Sequence, residues 1–282
     1  MSSLSPRDFA DLQAAVAKLE SQSLAMTLVS KAGIPVEALM HRLPRRAQDS
    51  IGTAVNKSLE QCLRVALAFG KGHSATTFSK RTHTMATAIT GAVGGFFGLP
   101  GLVVELPITT TVMLKAIADI ARSQGEDLTT TEGALACLEV LALGPEGVRA
   151  GAMESAYYST RAALAQATRD AAAYIAQKGL SKEGAPAIIS FVTKIAARFG
   201  LEVSEKVMAQ LVPIAGAAGG LALNVLFTQH FQRLADGHFT IRRLERKYGS
   251  ELVHSEFQLA RSANVIEGGQ PNRPPAQLGS GW

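Results

Sequence analysis

Residues 82–114 read THTMATAITGAVGGFFGLPGLVVELPITTTVML, 33 residues with one formal charge, Glu105, and five glycines between Gly91 and Gly101. A run this poor in charge has to be buried by something, and what buries it constrains the whole fold. A bilayer would accept a helix of about 20 apolar residues, and Thr82 to Val104 has that length. The threonines, the Gly98-Leu99-Pro100-Gly101 break and the nearby carboxylate oppose a simple span, because an unpaired carboxylate at membrane depth costs about 3 kcal/mol or more. The stretch is expected at the centre of a helical core, with a membrane-inserted hairpin as the alternative.

A second charge-poor segment, VMAQLVPIAGAAGGLALNVLFTQHFQ from Val207, repeats the pattern IxGAxGG at Ile214–Gly220 that first occurs at Ile89–Gly95. Either an internal duplication or convergence of Gly/Ala-rich sequence produces such a match. Gly91 and Gly95, Gly94 and Gly98, and Gly216 and Gly220 are each four apart. On a helix such pairs form a flat strip that admits a second backbone. Glycine inside a helix costs about 0.5–1 kcal/mol relative to alanine, and close packing is the usual compensation. The GAVGG run is not a phosphate loop, since it lacks the GxxxxGK[ST] spacing and a preceding strand.

Elsewhere the pattern is helical. Ser5-Pro6-Arg7-Asp8 opens a helix with Phe9, Leu12, Val16 and Leu19 on one face. Ile51, Val55, Leu59, Cys62, Leu63 and Ala66 make another apolar face. Thr129–Thr131 caps a helix over Gly133–Leu143 that stops at Gly144-Pro145. Ser155–Lys178 and Ala185–Arg198 read as further helices, closed by Gly179 and Gly200. No run alternates with period two, so no strand is expected. The fold class is all-α: a single helical domain of about eight to ten helices around the two Gly-rich segments. Residues 1–35 read as an N-terminal helical extension, 36–262 as the domain and 263–282 as a disordered tail.

Among candidate site residues, Glu105 stands out in its apolar field and requires partners. Thr109, Asn224, Thr228 and His230 occupy comparable apolar runs, and Asp119 follows downstream. Two readings stand: a polar site enclosed by the Gly-rich segments, holding a metal or a ligand headgroup, or a buried hydrogen-bond network that fixes helix packing. No HExxH, HxxxH or Cys/His cluster supports a zinc site, no metal or other cofactor is expected, and no GxSxG elbow supports a serine hydrolase. Cys62 and Cys137 read as reduced, buried thiols. From Phe227 to Tyr248, apolar residues share one helical side while Arg233, Arg242, Arg243, Arg246 and Lys247 populate others. Such a helix lies on an anionic membrane surface or is an ordinary solvated one. Lys80 and Arg81 add basic charge beside the first Gly-rich stretch.

The strings GAVGGFFGLPGLVVELPITTTVMLKAIADIARSQGEDL (91–128), CLEVLALG (137–144), Tyr157-Tyr158 with Arg161, and PIAGAAGGLALNVLFTQHFQRLADGHFTIRRLERKYG (213–249) resemble the EcsC protein family in order and spacing. The resemblance spans Val36 to Gly249. It implies an all-helical fold and action at or near a membrane; it carries over no catalytic residue. With the net charge of +5 and no secretory signal at the N-terminus, the expectation is a cytoplasmic, non-enzymatic protein at the inner face of the membrane. It would bind a lipid or another apolar ligand, or dock on a membrane protein. The alternatives are a metal-assisted hydrolase of a lipid-like substrate at Glu105 and a structural oligomer packed through the glycine strips. With 6% aromatic residues, a nucleic-acid partner is not expected.

Overall fold

The computed structural model of the chain describes residues 4–20, 24, 27, 43–69, 98–144, 155–179, 185–210 and 216–268. Among these residues there are eight α-helices and no strand, so the expected all-α class holds. They are α1 (Pro6–Leu19), α2 (Arg45–Ala68), α3 (Gly98–Ser123), α4 (Thr131–Glu139, continued by a 3-10 turn, Val140–Ala142), α5 (Ala156–Lys178), α6 (Pro186–Gln210), α7 (Gly216–Tyr248) and α8 (Ser250–Gly268). The first Gly-rich run, 89–95, and the segment 70–81 with Lys80 and Arg81 lie outside the described residues.

The helix starts follow from their caps. The Ser5 hydroxyl accepts from the Asp8 N–H ahead of Pro6, the Thr130 hydroxyl accepts from Gly133 N–H, and the Ser155 hydroxyl accepts from Tyr157 N–H. Gly179 closes α5 with φ +68°, and Gly249 turns the chain from α7 into α8 with φ +88°; both lie in the left-handed region where a Cβ is unfavourable. Gly200 was expected to end a helix, yet α6 continues through it. Its neighbours Phe199, Val203 and Val207 keep the buried stripe in register, which outweighs the modest helix penalty of one glycine. At the C-terminal end, α8 carries on to Gly268, past the expected start of the tail.

α4 is the innermost element. Residues 133–143 are all buried, apolar apart from Glu139, whose carboxylate accepts from the Thr168 hydroxyl of α5, and so apolar a helix belongs inside a bundle. α2 packs on α3, α4 and α6; α5 packs on α4 and α6; α7 lies against α1, α3, α6 and α8. Side-chain pairs give the directions. Asn224 meets Glu105 and Arg242 meets Glu126, so α7 runs parallel to α3. His230 meets Glu202 while Lys206 lies over Phe227, so α6 runs antiparallel to α7. α1 docks antiparallel on α7, burying Leu12, Ala15, Val16 and Leu19 in the common core. Phe9, grouped with that stripe by spacing, is 37% exposed, and Asp8 is buried in its place. The N-terminal helix is thus part of the domain's core.

Candidate functional site: a buried ionic cluster between α3, α6 and α7

α3 carries Pro107 inside the helix, where the missing N–H leaves a carbonyl without its usual donor. The threonines around it turn inward on their own backbone: Thr110 Oγ1 donates to Leu106 O and Thr111 Oγ1 to Pro107 O, both at 2.7 Å. Glu105, one residue earlier than that turn, points away from solvent. Its Oε1 accepts from Lys206 Nζ at 3.2 Å and from Asn224 Nδ2 at 3.1 Å. The lysine and glutamate side chains are 1% and 5% exposed. Lys206 also lies 5.1 Å from the centre of the Phe227 ring, a second favourable surrounding for a cation. Burial, partly offset by Glu105, holds the Lys206 ammonium below the usual lysine range.

Thr109 and Thr228, one helical turn from Glu105 and Asn224 respectively, are fully buried on the same side. One turn from Lys206 along α6, Glu202 faces His230 of α7, with Oε2 and Nε2 3.7 Å apart. Of the six ligand or polar-core candidates read from the sequence, the structure brings Glu105 and Asn224 into direct contact and seats Thr109, Thr228 and His230 in the adjoining layers. Asp119 lies elsewhere: fourteen residues along α3, about 21 Å from Glu105, it pairs with Arg122 at 3.0 Å. Among the described residues, no group of three or more His, Cys, Asp or Glu side chains gathers for a metal.

Four of the five cations named on α7, Arg242, Arg243, Arg246 and Lys247, are engaged within the protein. Arg242 donates to both Glu126 oxygens at 2.5 and 3.0 Å. Arg246 donates to Glu126 at 2.5 Å and to Gln124 O at 2.8 Å. Arg243 reaches Asp11 and Lys247 reaches Asp8, each at 2.7 Å. Burial alone would raise the Glu126 pKa, but Arg242 and Arg246 outweigh it and the carboxyl sits below its usual range. The apolar side of α7 is core, with Phe227, Phe231, Leu234, Ile241 and Leu244 all buried.

Two members of the cluster, Glu202 and Lys206, escaped the sequence reading because an i, i+4 Glu–Lys pair is the ordinary dress of an exposed helix face. The signal was present in the register. Ile188, Phe191, Ile195 and Phe199 step by three or four, and the next steps land on Glu202 and Lys206, so the two charges occupy core positions.

The Tyr157, Tyr158 and Arg161 motif forms a second polar layer, between α5 and α7. Arg161 clasps Glu245 through two bonds of 2.7 and 2.9 Å and donates to Tyr157 Oη at 3.3 Å. The Tyr157 hydroxyl lies 3.1 Å from His238 Nδ1, and the two share a hydrogen bond. Burial, with Arg161 and Arg242 nearby, holds His238 well below the ordinary histidine pKa, so it is neutral.

No curated protein and no solved structure matches the chain. The model of the EcsC protein family matches residues 7–244. The match takes in nearly all of α1, the buried ionic cluster, and Tyr157, Arg161 and His238 of the second layer, and the chain belongs to the EcsC protein family.

Proposed function

We propose that this protein works without catalysis at a membrane, laying the outward face of α3 against lipid. The observation that carries the reading is the orientation of Glu105. It is the only charge between Gly98 and Leu114, and it is turned inward onto Lys206. The outward face of the same turns holds Val104, 67% exposed, and Ile108, 49% exposed. Residues 84–97, which precede α3, contain no charged side chain either. The Gly101–Ser123 helix is long and apolar enough to cross a bilayer, but 56% of its most apolar window is buried inside the protein. That supports contact along one face over a span.

Burying a valine and an isoleucine side chain contributes on the order of 3 kcal/mol, about a hundredfold in partitioning. The binding is apolar in origin, because Arg242, Arg243, Arg246 and Lys247 are committed to Glu126, Asp11 and Asp8. Flotation with neutral and with anionic liposomes, at low salt, tests this. The protein should float with both, and the Val104→Ser/Ile108→Ser double variant should float at least about tenfold less. No flotation with either liposome sinks the lipid reading. Flotation only with vesicles that contain membrane proteins transfers the same face to a protein partner.

A further inference from the structure

The outward side of α3 changes character along its length. At about 100° per residue, Val104, Ile108, Lys115, Asp119 and Arg122 fall within about 60° of one another around the helix axis. They therefore share one line. Its N-terminal part presents the exposed Val104 and Ile108, and its C-terminal part carries an ammonium, a carboxylate and a guanidinium. Asp119 pairs with Arg122 at 3.0 Å. Lys115 is exposed, and among the described residues no carboxylate pairs with it.

A helix that lies flat in the headgroup region keeps one polarity along the side turned to the acyl chains. Laid flat, α3 would press Lys115, Asp119 and Arg122 into the same layer as Val104 and Ile108, and charge at that depth is expensive. A tilt removes the conflict. Lys115 lies about 16 Å along the axis from Val104, close to the roughly 15 Å of hydrocarbon in one leaflet. The aliphatic stem of a lysine covers apolar surface while its ammonium reaches the headgroups.

We propose that α3 enters a phospholipid leaflet obliquely, N-terminal end deeper, with Lys115 as its contact to a lipid phosphate. The geometry rests on α3 meeting lipid at all, and it deepens that reading by naming the headgroup and the tilt. Charge complementarity selects the occupant: a phospholipid leaflet offers acyl chains and, at a fixed height above them, a layer of phosphates. Apolar burial supplies most of the binding, and Lys115 sets how deep it goes. One lysine beside an anionic leaflet adds about fivefold to partitioning.

The test is depth-dependent quenching at saturating phospholipid. A fluorophore is placed in turn at Val104→Cys, Ile108→Cys and Lys115→Cys, and the vesicles carry a nitroxide lipid labelled either at mid-chain or at the headgroup. Mid-chain quenching should be strongest at 104, weaker at 108 and least at 115, and headgroup quenching should run in the reverse order. Equal mid-chain quenching at the three positions means a flat helix; it overturns the proposal and leaves lipid contact intact. No quenching at 104 by either nitroxide overturns lipid contact itself, and the proposal with it. In flotation with anionic vesicles at low salt, unlabelled Lys115→Gln should bind about fivefold more weakly at an unchanged melting temperature. Unchanged binding overturns the phosphate contact.

Discussion

The ion pairs inside the α3–α6–α7 cluster and those that dock α1 on α7 use the same residue types in opposite surroundings. Lys206 and Glu105 are 1% and 5% exposed; Arg243 and Asp11, which join α7 to α1, are 34% and 39% exposed. At the docking seam, water replaces a lost partner at small cost, and salt screens what remains. In the cluster nothing replaces it, so removing one partner leaves a desolvated charge. The α1 seam adjusts affinity between two surfaces that apolar burial already holds together. The cluster dictates which way α3 faces, and through that the chemistry of its outward side.

The largest effect expected from breaking this contrast is at Lys206. Lys206→Met strands Glu105 and should lower unfolding stability by about 3–5 kcal/mol in urea denaturation. The Glu105→Gln/Lys206→Met double variant should recover part of that loss. A double variant as unstable as the sum of the singles would mean the two groups are not coupled.

Next is the seam's apolar part. A Cβ on Gly237 would lie 2.7 Å from Leu19 Cγ and 3.2 Å from Ala15 O, so Gly237→Ala should cost about 1–3 kcal/mol by overpacking. Proteolysis should then cut the chain around α1 first; unchanged stability and cleavage would show that α1 yields freely.

The third prediction concerns acid. His238 has its pKa depressed in the folded state by burial and by Arg161 and Arg242, so the unfolded chain takes up the proton first. Stability should be full above the unfolded pKa of about 6.5 and fall below it, by up to about 1.4 kcal/mol per pH unit. His238→Gln should remove that slope between pH 6.5 and 5, roughly the range where unfolded histidine titrates; a slope that persists assigns it to other groups.

The smallest effect is at the exposed pair. Arg243→Ala should cost about 1 kcal/mol or less, and less still in high salt. A loss comparable to that of Lys206→Met would erase the distinction between the two regions.

Much of this was legible from residue patterns. The helical faces of α2 and α5, the caps at Ser5, Thr130 and Ser155, and the requirement that Glu105 find partners all follow from local chemistry. Glu105 and Asn224 are among the residues picked from sequence, and they meet. Lys206 and Glu202 were not legible as members, because pairing across helices α6, α3 and α7 is a tertiary fact and their i, i+4 spacing mimics a solvated pair. The cations of α7 show the same limit from the other side. Arg242 and Arg246 resemble a lipid-facing row until Glu126, over a hundred residues earlier in the chain, is brought beneath them.

Labelling reports most directly on whether the outward face of α3 meets lipid. Cys62 and Cys137 are free and buried, and burial pushes the Cys62 thiol up to about 12; a cysteine placed at an exposed position is therefore the one that takes an environment-sensitive fluorophore. Probes at Val104→Cys on α3 and Leu259→Cys on α8, sites 67% and 65% exposed in the parent, are compared on addition of neutral liposomes. The expected result is a blue shift and brightening at position 104 with little change at 259. No change at 104, or equal changes at both positions, would contradict a lipid-facing α3.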